Sequence, residues 1–283
     1  MVITSLACSL STITPVTPTQ VDQVGTIVAT TMQALTAAPS QSASTPIPNQ
    51  TGGIPVSYEN VSFVIPGGMA SSANTETMTS VDTNSGAPWE IAPTYLRFTL
   101  TGYQLQGKFH EPGIYVYPAD EYAKVNSNAA VQIESIKRIR SGSPILKETM
   151  PRVPWFNADL LIAANIKVVP FQNGRGVRTL TEYAQYYAPI NNHELVYHFQ
   201  GLTDDDKYYI FAILPVTAPI LAEDEKPESS VPAGGVPIPT SIGPNDTYYF
   251  SITEKLNSLP PDSFVPSITM LDALIQSILV KTP

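Results

Sequence analysis

Few residues in this chain have side chains suited to chemistry, and their spacing limits what each can do. Histidine occurs three times, at His110, His193 and His198. The run His193-Glu194-Leu-Val-Tyr-His198 approaches the His-Glu-x-x-His pattern of zinc peptidases, where two histidines four apart on one helix face a single ion. Here the second histidine arrives at i+5 in a segment of strand composition, so the rings point to opposite faces and no metal site is expected. His110, beside Glu111, and His193 are the pair around which an enzyme site built from distant residues would form. Arg175 and Arg178 lie in Asn173-Gly-Arg-Gly-Val-Arg178, which lacks the spacing and the strand–loop–helix setting of a phosphate loop. It reads as a hairpin turn whose glycines supply positive φ, with both arginines as candidate anion contacts. Asp204-Asp205-Asp206 lacks the spaced ligands and glycine of a calcium loop and reads as a solvated turn. No Gly-x-Ser-x-Gly elbow occurs, and the one cysteine, Cys8, has no base beside it. His110, His193, Arg175 and Arg178 are thus the candidate binding residues. The sequence calls for no catalytic set, cofactor or metal.

The elements that must position these residues follow from hydrophobic periodicity. Residues 56–65 have strand composition and end at Pro66-Gly67-Gly68. Over residues 95–103, Leu96, Phe98 and Leu100 share one face, the alternation of a half-buried strand. Residues 113–117 form a short aromatic strand. Over 120–140 the spacing becomes helical, with Tyr122, Val125, Ala129, Ile133, Ile136 and Ile139 on one stripe. Lys137, Arg138 and Arg140 in its last turn complement the helix dipole, and Gly142 suits a C-cap. Four more strands are expected over 165–172, 177–187, 194–202 and 207–216, joined by turn-rich links. Tyr208–Leu214 is apolar on both faces, so it belongs at the centre of the sheet. After a Pro-rich acidic loop over 218–245, helices are expected near 246–259 and 267–280, the second starting at Ser267. The tyrosines, at alternating strand positions, are expected as core or cross-strand pairs. The fold class expected is α+β: one antiparallel meander of about six or seven strands over residues 54–283, with helices packed on it.

Charge is sparse and unevenly placed. Charged residues make up 14% of the chain, against an average of about 25%. Residues 1–96 contain no Lys or Arg, and the net charge of −9 belongs to the two flanks of a nearly neutral centre. Nucleic-acid binding needs a basic stripe, which the sequence does not have. Residues 9–53 hold fifteen Ser/Thr, one charged residue and no aromatic side chain, too little apolar surface to offset chain entropy. They are expected to form a flexible tether with one short helix over 21–37. Ahead of them, residues 1–8 read as the end of a lipoprotein signal, with Cys8 as the lipidated residue. No positive charge precedes Cys8 and the apolar stretch is short, departures from the signal pattern that a mis-assigned start would explain.

Several stretches together resemble a family of uncharacterised secreted bacterial proteins, often lipoproteins, with a Ser/Thr/Pro tether before one domain. They are Tyr58-Glu-Asn-Val-Ser-Phe-Val-Ile-Pro66, Gly107-Lys-Phe-His-Glu-Pro-Gly-Ile-Tyr-Val-Tyr-Pro118, Phe171-Gln-Asn-Gly174, Pro189-Ile-Asn-Asn-His-Glu194, Phe199-Gln-Gly-Leu-Thr203 and Leu271-Asp-Ala-Leu-Ile-Gln-Ser277. The resemblance implies an extracellular, lipid-anchored location and carries no activity. A vaguer likeness, to small α/β/α lipoprotein domains of the PsbP/LpqN kind, supplies a fold alternative. The expected role is a tethered, non-enzymatic module binding a small ligand or an envelope protein, touching the membrane only through Cys8. The rival is a hydrolase-type enzyme assembled around His110 and His193.

Overall fold

Alternating and doubly apolar segments pair into strands much as their patterns require, in a computed structural model that describes residues 52–84, 86–226, 228–243 and 247–282. Cys8 and the helix expected over 21–37 lie outside the described residues. The main sheet has seven strands, all paired antiparallel: β3 (Ser72–Met78), β4 (Tyr95–Thr101), β5 (Gly113–Pro118), β7 (Ala164–Phe171), β8 (Gly174–Thr181), β10 (Val196–Thr203) and β11 (Tyr208–Pro215). Their order, β3-β4-β5-β11-β10-β8-β7, departs from one continuous meander. After β5 the chain crosses to the far edge, runs β7-β8-β10-β11 back to the middle, and closes β11 against β5. The link between β5 and β7 is long enough to hold helices α1 (Ala119–Val125) and α2 (Ser127–Arg140), and it carries the chain across one face of the sheet.

Both faces of the sheet are covered, which gives the α+β fold three layers. On one side Phe98, Ile114, Tyr197, Phe199, Ile210, Ala212 and Leu214 form a core. It is shared with helices α3 (Thr247–Ser258) and α4 (Ile268–Gln276) and a small sheet of β1 (Ile54–Tyr58), β2 (Val61–Ile65) and β12 (Leu279–Val280). On the other side Tyr209, Phe211, Ile213 and Val177 pack with Tyr122, Ile133, Ile136 and Ile139 of α1 and α2. Each large apolar side chain so buried contributes about 1.5–3 kcal/mol. Strand β11, expected at the centre, is the fourth of seven and buried on both faces. A two-stranded ribbon of β6 (Asp159–Leu160) and β9 (Tyr183–Ala184) extends the β8 side.

Several boundaries differ from the sequence pattern for identifiable reasons. Residues 56–65 form a hairpin, not one strand: Glu59 takes a left-handed φ of 50° and the chain reverses there. The helix expected over 120–140 is two helices. Asn126 adopts an extended backbone (φ −132°, ψ 112°) and its side chain caps α2, accepting from Ala129 N–H at 3.0 Å. The C-cap at Gly142 is present, with φ 92° and Ser143 N–H reaching the Arg138 carbonyl. Arg140 in that last turn also pairs with Asp204 and Asp206, so the Asp204–Asp206 turn pins the end of α2 to the β10–β11 hairpin. Gly174 and Gly176 do not supply positive φ. They allow close strand approach: a Cβ on Gly176 would meet the Gln200 carbonyl and the Gly201 backbone across the sheet.

Candidate functional site

The four residues singled out by sequence separate in space. Arg178, on β8, is turned into the core beneath α4, where its Nε donates to Asp272 Oδ1 at 3.2 Å and its guanidinium also reaches the Asn165 carbonyl. This paired side chain is not available to an external anion. Arg175 is exposed near the end of the β7–β8 hairpin. His110 and His193 do come together. Phe109 N–H donates to the His193 carbonyl at 3.0 Å, and the Phe109 ring stands 6.2 Å from the His193 imidazole and 4.8 Å from that of His110.

Beside this junction opens a cleft of about 490 Å³, within the usual range of ligand sites, roughly 300–1,000 Å³. Five segments build it. The β4–β5 loop supplies Phe109 and His110; the link from α2 to β6 supplies Trp155 and Phe156; β9 and the residues after it supply Tyr183, Gln185 and Tyr186. Glu194 comes from the turn before β10 and Glu225 from the acidic loop after β11. Trp155 lies over the sheet, 4.7 Å from Phe211 edge to face and 5.2 Å from Tyr115, so the wall it forms rests on the core. Phe156 is stacked by His110 at 5.2 Å and 15°, and meets Tyr183 edge-on at 5.1 Å. The rim is tied by hydrogen bonds: Tyr186 OH to Glu225 Oε2 at 2.5 Å, Gln185 Nε2 to the Asn157 carbonyl at 2.7 Å, and Lys108 Nζ to Glu223 at 2.7 Å.

Carboxyl groups gather at one end of the cleft. Glu182 is fully buried just behind it, and its Oε2 accepts from the backbone N–H of Asn191 at 3.0 Å and from the Asn191 side chain at 3.3 Å. Its Oε1 has no hydrogen-bond partner among the described residues. Burial, with the charges of Glu194 and Glu225, raises the Glu182 pKa well above the ordinary 4.5, so Glu182 holds its proton. Burial and the Glu225 charge also raise Glu194. Asn191 completes the arrangement: its Oδ1 accepts from the N–H groups of His193 and Glu194 at 2.9 and 3.2 Å, fixing the turn that presents both side chains.

The two inner histidines are neutral for physical reasons. Burial lowers His110 to about 4, helped by His193, and its Nε2 is enclosed without a hydrogen-bond partner among the described residues. His198, on β10, is lowered to about 3 by burial. Gln200 Nε2 donates to its Nε2 at 2.7 Å, and its Nδ1 lies 2.9 Å from Tyr183 OH. Tyr209 OH donates to Gln200 Oε1 at 2.5 Å, which completes a buried chain from the core to the Tyr183 wall of the cleft. Among the described residues no hydrogen bond or ion pair joins His110 or His193 to a carboxylate, and none of the cleft-lining side chains is a Ser, Thr, Cys or Lys.

Reasoning from sequence missed Glu182, Trp155, Phe156 and Tyr186, and weighed Glu194 only within a zinc-peptidase pattern. Two signals were present. Glu182 is the only acid in an otherwise neutral strand run, Thr179-Leu-Thr-Glu-Tyr-Ala-Gln185, and Trp155-Phe156 follows Pro154 in a link where apolar aromatic residues have no periodic partner. No family model matches the chain, and no curated protein matches it.

Proposed function

We propose that this protein is a non-enzymatic binding module, tethered at a bacterial cell surface through a lipid on Cys8, that takes a small organic ligand into the aromatic cleft between Phe109, Trp155 and Tyr186. The cleft carries the reading: a cavity of about 490 Å³ walled by aromatic rings with a few convergent polar groups is the form a small-ligand site takes. The Ser/Thr-rich stretch of residues 9–53 and the position of Cys8 support the tether. A thermal-shift screen against a diverse small-molecule library tests the function. Hits that raise the melting temperature of the wild type and lose their effect in Trp155→Ala support it; a screen without cleft-dependent hits opposes it. An envelope protein as the partner would instead show as a chain captured by cross-linking through Tyr186 or Phe109. Diacylglyceryl on Cys8 by mass spectrometry of the native protein tests the anchor, and an intact Met1 would remove it.

One observation favours the rival enzyme reading: the enclosed, unpartnered Nε2 of a neutral His110 has the form of a proton acceptor. A ligand recovered unchanged after prolonged incubation supports binding alone. A product whose formation stops in His110→Gln supports hydrolysis or another proton-transfer reaction.

A further inference from the structure

We infer that the cleft selects an organic ammonium cation, held between the carboxylates of Glu194 and Glu225 and the faces of the aromatic walls. This rests on the reading of the cleft as a ligand site and names the ligand's chemical class.

The first observation is the charge inventory. Among the described residues the lining includes two carboxylates and neither a lysine nor an arginine. The nearest cations are engaged elsewhere: Lys226 with Asp224 at 2.6 Å, Lys108 with Glu223 at 2.7 Å and Arg152 with Asp159 at 2.5 Å. Of the two histidines nearby, His110 is stacked on Phe156, and His193 stands close enough to influence Glu194. Among the described residues the two cleft carboxyl groups therefore have no Lys or Arg partner. The second observation is independent of that count. Glu182 is fully buried beside the acidic end of the cleft, and its Oε1 has no hydrogen-bond partner among the described residues. A buried, unsatisfied carboxyl oxygen at this place marks the acidic end of the cleft as a polar locus. The third is the wall itself. Trp155, Phe156, Tyr186 and Phe109 present ring faces and edges, and a cation over such a face is attracted by the ring quadrupole, most strongly by Trp. Carboxylates beside aromatic faces complement an alkylammonium head better than a neutral polyol. A polyol could donate its hydroxyls to the same carboxyl groups, but it brings no positive charge to pair with them.

The chemistry is shared by quaternary ammonium compounds and by primary amines, and the experiment separates them. Choline, putrescine, the uncharged choline isostere 3,3-dimethylbutan-1-ol and glucose are titrated against a Trp89→Phe form, so that Trp155 is the sole fluorescence reporter. Choline or putrescine is expected to bind at least about tenfold more tightly than the isostere, with Glu194→Gln removing about tenfold of that affinity. Glu225→Gln, an exposed position that does not threaten folding, is expected to weaken the same ligand. Binding of choline alone assigns a quaternary head; binding of putrescine alone assigns a primary amine. Equal binding of choline and its isostere overturns the inference, as does an unchanged affinity in both Glu variants. Glucose or screen hits that bind while neither ammonium does overturn it too, and leave the cleft as a ligand site. If no probe and no screen hit perturbs Trp155, both the inference and the binding function fall.

Discussion

Glu182 and Asn191 are joined twice: one carboxyl oxygen of a fully buried glutamate takes both the backbone and the side-chain N–H of an asparagine nine residues on. That asparagine in turn caps the turn carrying His193 and Glu194. A single buried acid thus sets the geometry of the cleft's acidic end.

The protonation of Glu182 makes stability depend on pH in a definite direction. Its folded pKa lies above the ordinary 4.5, so its contribution is complete below that value and is lost as pH rises through the folded pKa. Across that window the wild type should lose up to about 1.4 kcal/mol per pH unit, and Glu182→Gln, which cannot ionise, should lose less. Urea midpoints measured from pH 5 upward check this. Parallel pH profiles for the two proteins would show that Glu182 is ionised in the folded state.

The buried chain Tyr209–Gln200–His198–Tyr183 should be costly to interrupt. Tyr209→Phe leaves Gln200 Oε1 without its donor and is expected to destabilise by about 1–3 kcal/mol. Because His198 is lowered from 6.5 to about 3, its contribution is present above pH 6.5 and is lost as pH falls from there towards 3. Nitrogen-detected NMR should show a neutral His198 ring with the proton on Nδ1 at about pH 5, and an imidazolium at that pH would contradict the network.

Asp272 is the hub under α4, accepting from Arg178 Nε at 3.2 Å and from Tyr197 OH at 2.9 Å, and pairing with Lys167 at 3.2 Å. Arg178→Met removes the buried partner and is expected to cost about 3–5 kcal/mol, while adding phosphate to the wild type should change nothing at this residue. Restoring most of that loss in the double variant Arg178→Met, Asp272→Leu would identify the penalty as a buried carboxylate left with Lys167 and Tyr197 alone. Calorimetric unfolding of the three proteins gives the cycle.

Gly176 faces Gly201 across β8 and β10, where a methyl group would strike the Gln200 carbonyl. Gly176→Ala should destabilise by about 1–3 kcal/mol through the backbone shift it forces. The same substitution at Gly107, which sits at φ 64° in open space, acts through φ strain alone and should cost less than about 2 kcal/mol. Comparing the two melting temperatures separates close approach from backbone conformation.

These positions also show what the sequence made legible. The central place of Tyr208–Leu214 and the shared face of Leu96, Phe98 and Leu100 could be read, because burial on a pleated sheet leaves period-two or continuous apolar patterns. Strand β3, Ser72-Ala-Asn-Thr-Glu-Thr-Met78, was invisible: it is a half-exposed edge strand without apolar alternation. The break at Asn126 was hidden because the apolar stripe of α1 continues in phase into α2. Strand order could not be read, since the return of β11 to β5 depends on contacts about ninety residues apart, and local pattern carries no trace of them. For the site, His110 and His193 were identified by residue type. The carboxyl groups and aromatic walls were not, because each comes from a different loop and only the folded sheet gathers them.

The most direct measurement follows the Trp155 indole N–H by two-dimensional NMR as a cleft-dependent hit from the ligand screen is titrated in. Trp89, in the β3–β4 loop, does not line the cleft and serves as the internal control. A ligand seated in the cleft gives a saturable shift of the Trp155 signal with Trp89 unmoved, and that shift is lost in Phe156→Ala. Saturable binding that leaves Trp155 unmoved would place the ligand elsewhere and contradict the cleft as the binding site.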